Sequence, residues 1–188
     1  MCIRDRANAR PQKGALMSLV CRRAEARDFP ALEQMLELYQ YELSDIWLQD
    51  TDALGRYGYD LSRHKQAERF FAYVACEGEQ YVGFALVAPA AVTLAEGSWM
   101  EQFFVLKRFR RSGVGLRLAE HVIVSHPGNW EIGQMHANLP AQGFWRRVVQ
   151  KLTDGKYVEL QVKEGWWQGV VQQFRVQAAA LKSSPSTD

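Results

Sequence analysis

The chain has 188 residues, of which 47% are hydrophobic and 23% are charged, and its formal net charge is +2. This length suits one domain with a full hydrophobic core, and this composition excludes a chain that is disordered as a whole. The basic residues are scattered, which argues against a nucleic-acid groove, and no apolar run approaches the roughly 20 residues of a membrane span. The three cysteines, Cys2, Cys21 and Cys76, show no disulfide or metal-type spacing, so we expect a reducing, cytoplasmic compartment.

The two ends of the chain lack a regular pattern. Residues 1–16 read MCIRDRANARPQKGAL without any apolar period, and patterned sequence begins directly after Met17. We therefore expect residues 1–16 to be a non-native or disordered extension and residues 17–177 to form the domain. Residues 178–188 drift into Ser, Pro and Thr, which predicts a disordered tail.

The N-terminal half predicts a strand, a helix and a hairpin. Residues 18–23 are typical of a strand, and Asp28 can cap an amphipathic helix that follows. Residues 41–60 are aromatic and acidic and contain two glycines, which predicts a binding loop. Residues 70–76 and 80–88 are β-rich runs on either side of a Glu-Gly-Glu turn, so they should pair antiparallel.

The C-terminal half alternates strands and helices. Its predicted elements are a strand at 99–106, a basic turn at 110–115, a helix at 116–123, a strand at 130–135, a helix at 141–152, and strands at 157–162 and 170–176. There is no internal repeat. The order of these elements predicts a mixed α/β fold built on one sheet.

The turn at residues 110–115, Arg-Arg-Ser-Gly-Val-Gly, suits a ligand that carries phosphate. Backbone amides at the start of a helix are unpaired, and the helix dipole favours anions there. Gly113 and Gly115 allow unusual backbone angles, and Arg110 and Arg111 carry forked donors. An ordinary capped helix after a strand is the alternative. The signatures of ATP and NAD sites are missing, so both nucleotides are disfavoured.

Two motifs resemble the GCN5-related N-acetyltransferase (GNAT) family. Residues 110–115 match its coenzyme A signature, [QR]-x-x-G-x-[GA], which follows a long strand. Residues 138–145, NLPAQGFW, match N-x-x-A-x-x-x-Y except that Trp145 replaces the tyrosine. The resemblance extends from the first strand and helix, LVCRRAEARDFPAL, to the closing hairpin.

This resemblance implies a mixed, mostly antiparallel sheet flanked by helices, with acetyl-CoA as co-substrate at splayed central strands. Backbone groups at Phe104 and Val105 would hold the pantetheine arm as an added strand does. Asn138 would contact the coenzyme near its reactive end; the alternative role is a helix cap just before Pro140, which does not exclude that contact. The residues that would hold the pyrophosphate are Arg110, Arg111, Ser112, Gly113, Val114 and Gly115.

Acetyl transfer needs a neutral amine, whereas a free alkyl amine, whose pKa is about 10.4, is protonated at neutral pH. Glu101 stands where the family often has a catalytic or water-ordering carboxylate, with a solvated surface residue as the alternative and Glu96 or Asp60 as weaker substitutes. Trp145 cannot release a proton as a tyrosine can. Another group such as Tyr157, or solvent, would then protonate the thiolate, or transfer would be impaired.

Three residues of the predicted loop, Tyr41, Asp45 and Trp47, are candidates for binding a cationic acceptor, although a solvated loop has the same composition. The leading hypothesis is an acetyltransferase that acts on a primary amine of a small molecule by direct attack in a ternary complex. A non-catalytic module that binds or senses coenzyme A, and an acyltransferase for a protein amine or a longer acyl group, are the alternatives. The four histidines show no metal spacing, and a homodimer is possible.

Overall fold

The computed structural model describes residues 19–90 and 92–177, so the predicted extensions at 1–16 and 178–188 lie outside the described residues. The strands are β1 (Leu19–Arg23), β2 (Phe71–Glu77), β3 (Gln80–Pro89), β4 (Ser98–Val105), β5 (Gly128–Gln134), β6 (Tyr157–Val162) and β7 (Gly169–Val176). The α-helices are α1 (Phe29–Leu43), α2 (Ser62–Gln66), α3 (Val114–Val124) and α4 (Leu139–Thr153). None of the described helices has the length and apolar character that crossing a membrane requires.

The strands form one sheet in the order β1-β2-β3-β4-β5-β7-β6. Every neighbouring pair is antiparallel except β4 and β5, which run parallel. That pair is short, because only Ser98 and Trp99 of β4 meet Trp130 and Glu131 of β5. Beyond these residues β4 stays with β3, β5 stays with β7, and a gap opens between them. The predicted mostly antiparallel sheet with splayed central strands is therefore confirmed.

A bulge in β4 lies where the two central strands separate. Leu86 of β3 pairs with Gln102 and Val87 pairs with Met100, so Glu101 is the extra residue. A bulge bends its strand and increases the local twist, which is consistent with β4 leaving β5 at this point. It also interrupts the alternation of side chains, so Glu101 and Gln102 come to lie on the same face of the sheet.

Each face of the sheet carries one hydrophobic cluster. Helices α3 and α4 cover one face, where Leu118, Val122, Val148 and Val149 recur at helical spacing and are at most 1% exposed. Helix α1 covers the other face with a second buried cluster that includes Leu32, Leu36, Val74, Phe84 and Phe104. Burial of each such aliphatic side chain contributes about 1.5–3 kcal/mol. Together the two layers pack against both faces of β4 up to the point where it borders the gap.

The structure corrects three local predictions. Helix α1 continues to Leu43, so Tyr41 lies in a helix and not in a loop, because the apolar stripe of the helix continues through Tyr39. Helix α2 was not predicted, since five residues with one buried side chain give no periodic pattern. Asp28 precedes α1 without capping it with its side chain.

The Asp28 carboxylate instead forms a buried polar network. It accepts two hydrogen bonds from Arg22, at 2.6 and 2.8 Å, and one from the Tyr81 hydroxyl at 2.6 Å. The side chain of Asp28 is fully buried. The hydrogen bonds from Arg22 are the main reason that the pKa of Asp28 lies well below its usual range. The network fastens β1 and β3 to the start of α1.

Candidate active site

The gap between β4 and β5 is a cleft through the sheet with a cavity of about 110 Å³. Its walls come from both splayed strands, and Asn138, Ala141 and Trp145 of α4 border it on one side of the sheet. Tyr39 and Trp47 border it on the α1 side. A second cavity of about 220 Å³ adjoins it there, and the residues that line both are Tyr39, Leu43, Trp47 and Gln102. The cleft thus has one cavity that passes through the sheet and a second cavity beside it on the α1 face.

The turn after β4 presents unpaired backbone donors. Arg111 has φ 63° and Gly113 has φ 92°, so the chain takes left-handed geometry twice before α3 begins. None of the amides of residues 111–115 donates a hydrogen bond to another described residue. A Cβ atom added to Gly113 would meet nothing within 4 Å, so the space beside this residue is open. With the dipole of α3, this geometry suits an anion such as a pyrophosphate.

The Arg110 side chain fastens this turn to the rest of the fold. Its guanidinium donates to both carboxylate oxygens of Glu42 at 2.6 and 2.8 Å, and its Nε donates to the Val105 carbonyl at 2.8 Å. Three of its five N–H donors are therefore engaged within the protein. Arg110 therefore links α1, β4 and the turn. Its contact with a pyrophosphate stays a prediction.

Phe104 and Val105 differ in what they offer a ligand. The Leu106 amide donates to the Val82 carbonyl at 2.9 Å, so by antiparallel alternation the backbone of Phe104 also faces β3. The backbone of Val105 faces the other way, toward the gap. The Phe104 ring is buried against Tyr39 and Phe84 on the α1 face. Of the two residues, Val105 is the one whose backbone faces the gap, and its amide is the group left for a ligand because its carbonyl accepts from Arg110 Nε. Neither Phe104 nor Val105 lines the two cavities.

The bulge directs the Glu101 side chain toward α2, and 16% of the side chain is exposed. Its Oε1 accepts a hydrogen bond from Arg63 Nη2 at 3.3 Å. Its Oε2 lies 3.0 Å from Nε2 of His64, although the two atoms lack the alignment that a hydrogen bond needs. Glu101 also lines the cavity of the gap. The carboxylate therefore sits at the edge of the cleft and is held by one short helix.

Tyr59 brings a hydroxyl to the same region. Glu37 of α1 fixes the preceding backbone, because its carboxylate accepts hydrogen bonds from the amides of Tyr57 and Gly58 at 2.7 and 2.9 Å. Burial, and next the charge of Glu101, raise the pKa of Tyr59 above its usual value. Tyr59 therefore keeps its proton at neutral pH and acts as a neutral hydrogen-bonding group.

At the α4 end of the cleft, the two residues of the second motif have clear structural roles. Asn138 Oδ1 accepts a hydrogen bond from the Ala141 amide at 3.2 Å and caps α4 while lining the cavity, so the helix-cap alternative is realised. The Trp145 ring is 4% exposed and packs edge-on against Phe103, with centroids 4.9 Å apart. This position carries no hydroxyl, and Tyr157 lines neither cavity.

Of the three residues that were predicted to bind the acceptor, one lines the cleft and two do not. Trp47 lines both cavities, whereas Tyr41 is 70% exposed on α1 and, like the exposed Asp45, lines neither. The helical period is the reason, because Tyr39 and Leu43 share the face of α1 that borders the cavities, and Tyr41 between them points away. Of the substitutes for Glu101, Asp60 lines the second cavity, and the exposed Glu96 lines neither.

Two tryptophans that carried no predicted role form a wall of the cleft. Trp167, from the segment between β6 and β7, packs edge-on against Trp99 of β4 with ring centroids 5.5 Å apart. Both rings lie over Gly133 of β5, where an added Cβ would come within 2.3 Å of Trp99 and 2.5 Å of Trp167. A glycine in a strand signals a close approach, but its sequence position does not identify what approaches. Among the described residues, no group of His, Cys, Asp and Glu could hold a metal ion.

Comparison with known proteins agrees with this geometry. The sequence matches the profile described as "Acetyltransferase (GNAT) family" over residues 30–149. A search of curated protein sequences gives no significant match.

Three solved structures with the same fold are acetyltransferases that are named for different acceptors. A structure titled histone acetyltransferase HPA2 and related acetyltransferase from Corynebacterium glutamicum has a TM-score of 0.62 at 17% identity, covering 88% of this chain and 99% of that one. The ribosomal-protein-S18-alanine N-acetyltransferase from Escherichia coli has a TM-score of 0.59 at 12% identity, covering 89% and 99%. An aminoglycoside acetyltransferase from an uncultured soil metagenomic sample, in complex with sisomicin, has a TM-score of 0.58 at 16% identity, covering 80% and 95%. From the matched residues 30–149, this chain belongs to the GNAT acetyltransferase family, whose members in general use acetyl-CoA as co-substrate.

Proposed function

We propose that this protein transfers the acetyl group of acetyl-CoA to a primary amine of a small molecule, by direct attack in a ternary complex. The observation that carries this proposal is the place of Glu101. Glu101 lines the gap between the splayed strands, and the neighbouring Gln102 lines both the gap and the adjoining cavity. A proton acceptor therefore lies in the gap, next to the residue that borders both cavities.

The α3 and α4 side of the cleft fits the coenzyme. The amides of residues 111–115 would bind the pyrophosphate, and the backbone of Val105 would bind the pantetheine arm in the manner of an added strand. Asn138 lines the cavity near the middle of the sheet and would lie close to the thioester. The open space at Gly113 supports this assignment, because a ligand can approach the turn without displacing a side chain.

The chemistry requires a proton acceptor more than it requires a proton donor. Glu101, directly or through a water molecule, takes a proton from the ammonium form of the acceptor. The neutral nitrogen then attacks the thioester carbonyl carbon, the carbon–sulfur bond breaks, and the nitrogen loses its second proton to solvent. A thiol has an ordinary pKa of about 8.5, so a thiolate is a good leaving group and can take its proton from solvent. Trp145 in place of a tyrosine is thus compatible with turnover.

The shape of the α1 side favours a small acceptor. The second cavity, about 220 Å³, has aromatic walls from Tyr39, Trp47 and Tyr59, and Asp60 lines it as well. The rings of Trp99 and Trp167 lie over Gly133 of β5 and form a further wall of the cleft. Aromatic faces with nearby carboxylates suit a compact cation. The compared structures carry names for both protein and small-molecule acceptors, so the fold alone does not choose between them.

Release of the coenzyme A thiol, measured with a panel of small primary amines and of peptides with a free N-terminus, tests the proposal. We expect turnover with at least one small amine. Glu101→Gln should lower kcat by about 10²- to 10⁴-fold and leave the binding of acetyl-CoA unchanged. Glu96→Gln is the matched control, because Glu96 is an exposed carboxylate that lines neither cavity, and it should keep wild-type activity.

Two results would contradict the proposal in different ways. Tight binding of acetyl-CoA without turnover of any amine would favour the non-catalytic sensing module. Turnover with peptides alone would favour a protein acetyltransferase.

A further inference from the structure

The two oxygens of the Glu101 carboxylate have different surroundings. Oε1 accepts a hydrogen bond from Arg63, whose side chain is 59% exposed. Oε2 is buried and has no hydrogen-bond partner among the described residues, although Nε2 of His64 is 3.0 Å away. One oxygen therefore faces an exposed guanidinium, and the other faces a buried imidazole.

His64 is an unusual residue for its position. The helix α2 that carries it has five residues and is otherwise exposed, yet the His64 side chain is 0% exposed. Neither ring nitrogen has a hydrogen-bond partner among the described residues, and the ring packs edge-on against Phe70. Burial of an imidazole without partners is unfavourable. The unpartnered Oε2 of Glu101 is the group within reach that could satisfy it.

We propose that His64 is a positioning residue for Glu101, an inference that rests on the proposed function. A small rotation of the ring aligns Nε2–H with Oε2, and the hydrogen bond holds the carboxylate from its buried side. Oε1 then points to the cleft. Arg63 occupies Oε1 in the absence of an acceptor, and because its side chain is mostly exposed, a cationic amine can displace it at little cost.

This arrangement affects the orientation of the base. The titratable or charged groups that face Glu101 are Arg63 and His64 from α2 and Tyr59 from the preceding segment. Of these, His64 is the group that lies beside the buried Oε2. Loss of this donor should therefore loosen the carboxylate and leave Oε2 buried without a partner.

The kinetic test compares His64→Leu with His64→Gln, whose amide can still donate to Oε2, and uses an amine that the wild type acetylates. We expect His64→Leu to lower kcat by roughly tenfold or more and to leave the KM for acetyl-CoA unchanged. His64→Gln should recover most of kcat. His126→Gln is the control, since His126 contacts Tyr73 and lines neither cavity. Equal losses of kcat in both His64 variants, or no loss in either, would overturn the inference.

A second measurement does not depend on turnover. Nitrogen-15 NMR of the imidazole reports which ring nitrogen carries the proton. We expect His64 to carry it on Nε2, and we expect Glu101→Gln to change the Nε2 signal. A proton on Nδ1 together with a spectrum unaffected by Glu101→Gln would overturn the pairing. If no amine is acetylated while the Nε2 signal behaves as expected, the proposed function fails and the Glu101–His64 pair stands.

Discussion

Replacement of Gly113 by alanine tests the turn that would receive the coenzyme. Gly113 has φ 92° and immediately precedes α3, and an added Cβ would meet nothing within 4 Å. The substitution therefore adds no clash, and its cost comes from the backbone. A left-handed conformation costs a residue with a Cβ about 1–2 kcal/mol.

The size of the effect follows from this strain. For a domain of this size, 1 kcal/mol shifts Tm by about 2–4 °C, so we expect Gly113→Ala to lower Tm by roughly 2–8 °C. If the turn relaxes to relieve the strain, the amides of residues 111–115 no longer converge. We then expect the Kd for acetyl-CoA to rise at least about tenfold, which corresponds to about 1.4 kcal/mol.

Thermal denaturation and calorimetric titration with acetyl-CoA measure the two quantities, with Gly115→Ala as the matched control. Gly115 has an ordinary helical φ, and an added Cβ would be 3.4 Å from Phe144, an ordinary contact. Alanine is favoured over glycine within a helix by up to about 1 kcal/mol, so Tm should stay or rise. Gly113→Ala with wild-type Tm and wild-type affinity would refute the role of the left-handed turn.

Two further substitutions test the core and the acceptor wall. Asp28→Asn should destabilise the fold by about 3 kcal/mol, because it removes the charge that pairs with Arg22 and replaces one buried acceptor oxygen by an NH2 donor. Since the pKa of Asp28 is lowered in the folded state, the stabilisation by its carboxylate is present above a pH of about 4 and is lost as the pH falls further. Urea denaturation of both proteins across pH should show the difference shrinking below that pH, and a constant difference would contradict it. Gly133→Ala should displace Trp99 and Trp167, cost about 1–3 kcal/mol, and raise the KM for the acceptor without changing the Kd for acetyl-CoA. An unchanged acceptor KM would show that the two rings do not shape the acceptor site.

The strands, the helices α1, α3 and α4 and the turn at 110–115 could be predicted from the sequence because their signals are local. Hydrophobic period, the hairpin turn and the glycines each act over a few neighbouring residues. The same logic placed Glu101 on a strand, and the resemblance to the GNAT family gave that position its expected catalytic role. It did not show that Glu101 is the extra residue of a bulge, because a bulge depends on the register of two strands.

The contacts that build the site could not be predicted because they join distant parts of the chain. Arg110 carries the signature of a phosphate ligand, yet its guanidinium binds Glu42, which is 68 residues away. His64 and Trp167 lie on short segments without periodic pattern, and only the fold brings them to the cleft. Tyr41 and Asp45 have suitable chemistry, but Tyr41 lies on the face of α1 opposite to Tyr39 and Leu43, which border the cavities.

A crystal structure with acetyl-CoA bound tests the central claim most directly. We expect the pyrophosphate to accept hydrogen bonds from the amides of residues 111–115 and the pantetheine arm to lie in the gap beside Val105. The thioester should then lie between Asn138 and Glu101, with the adjoining cavity open to an amine. Coenzyme bound outside the gap, or a thioester that Glu101 cannot reach directly or through one water molecule, would contradict the account.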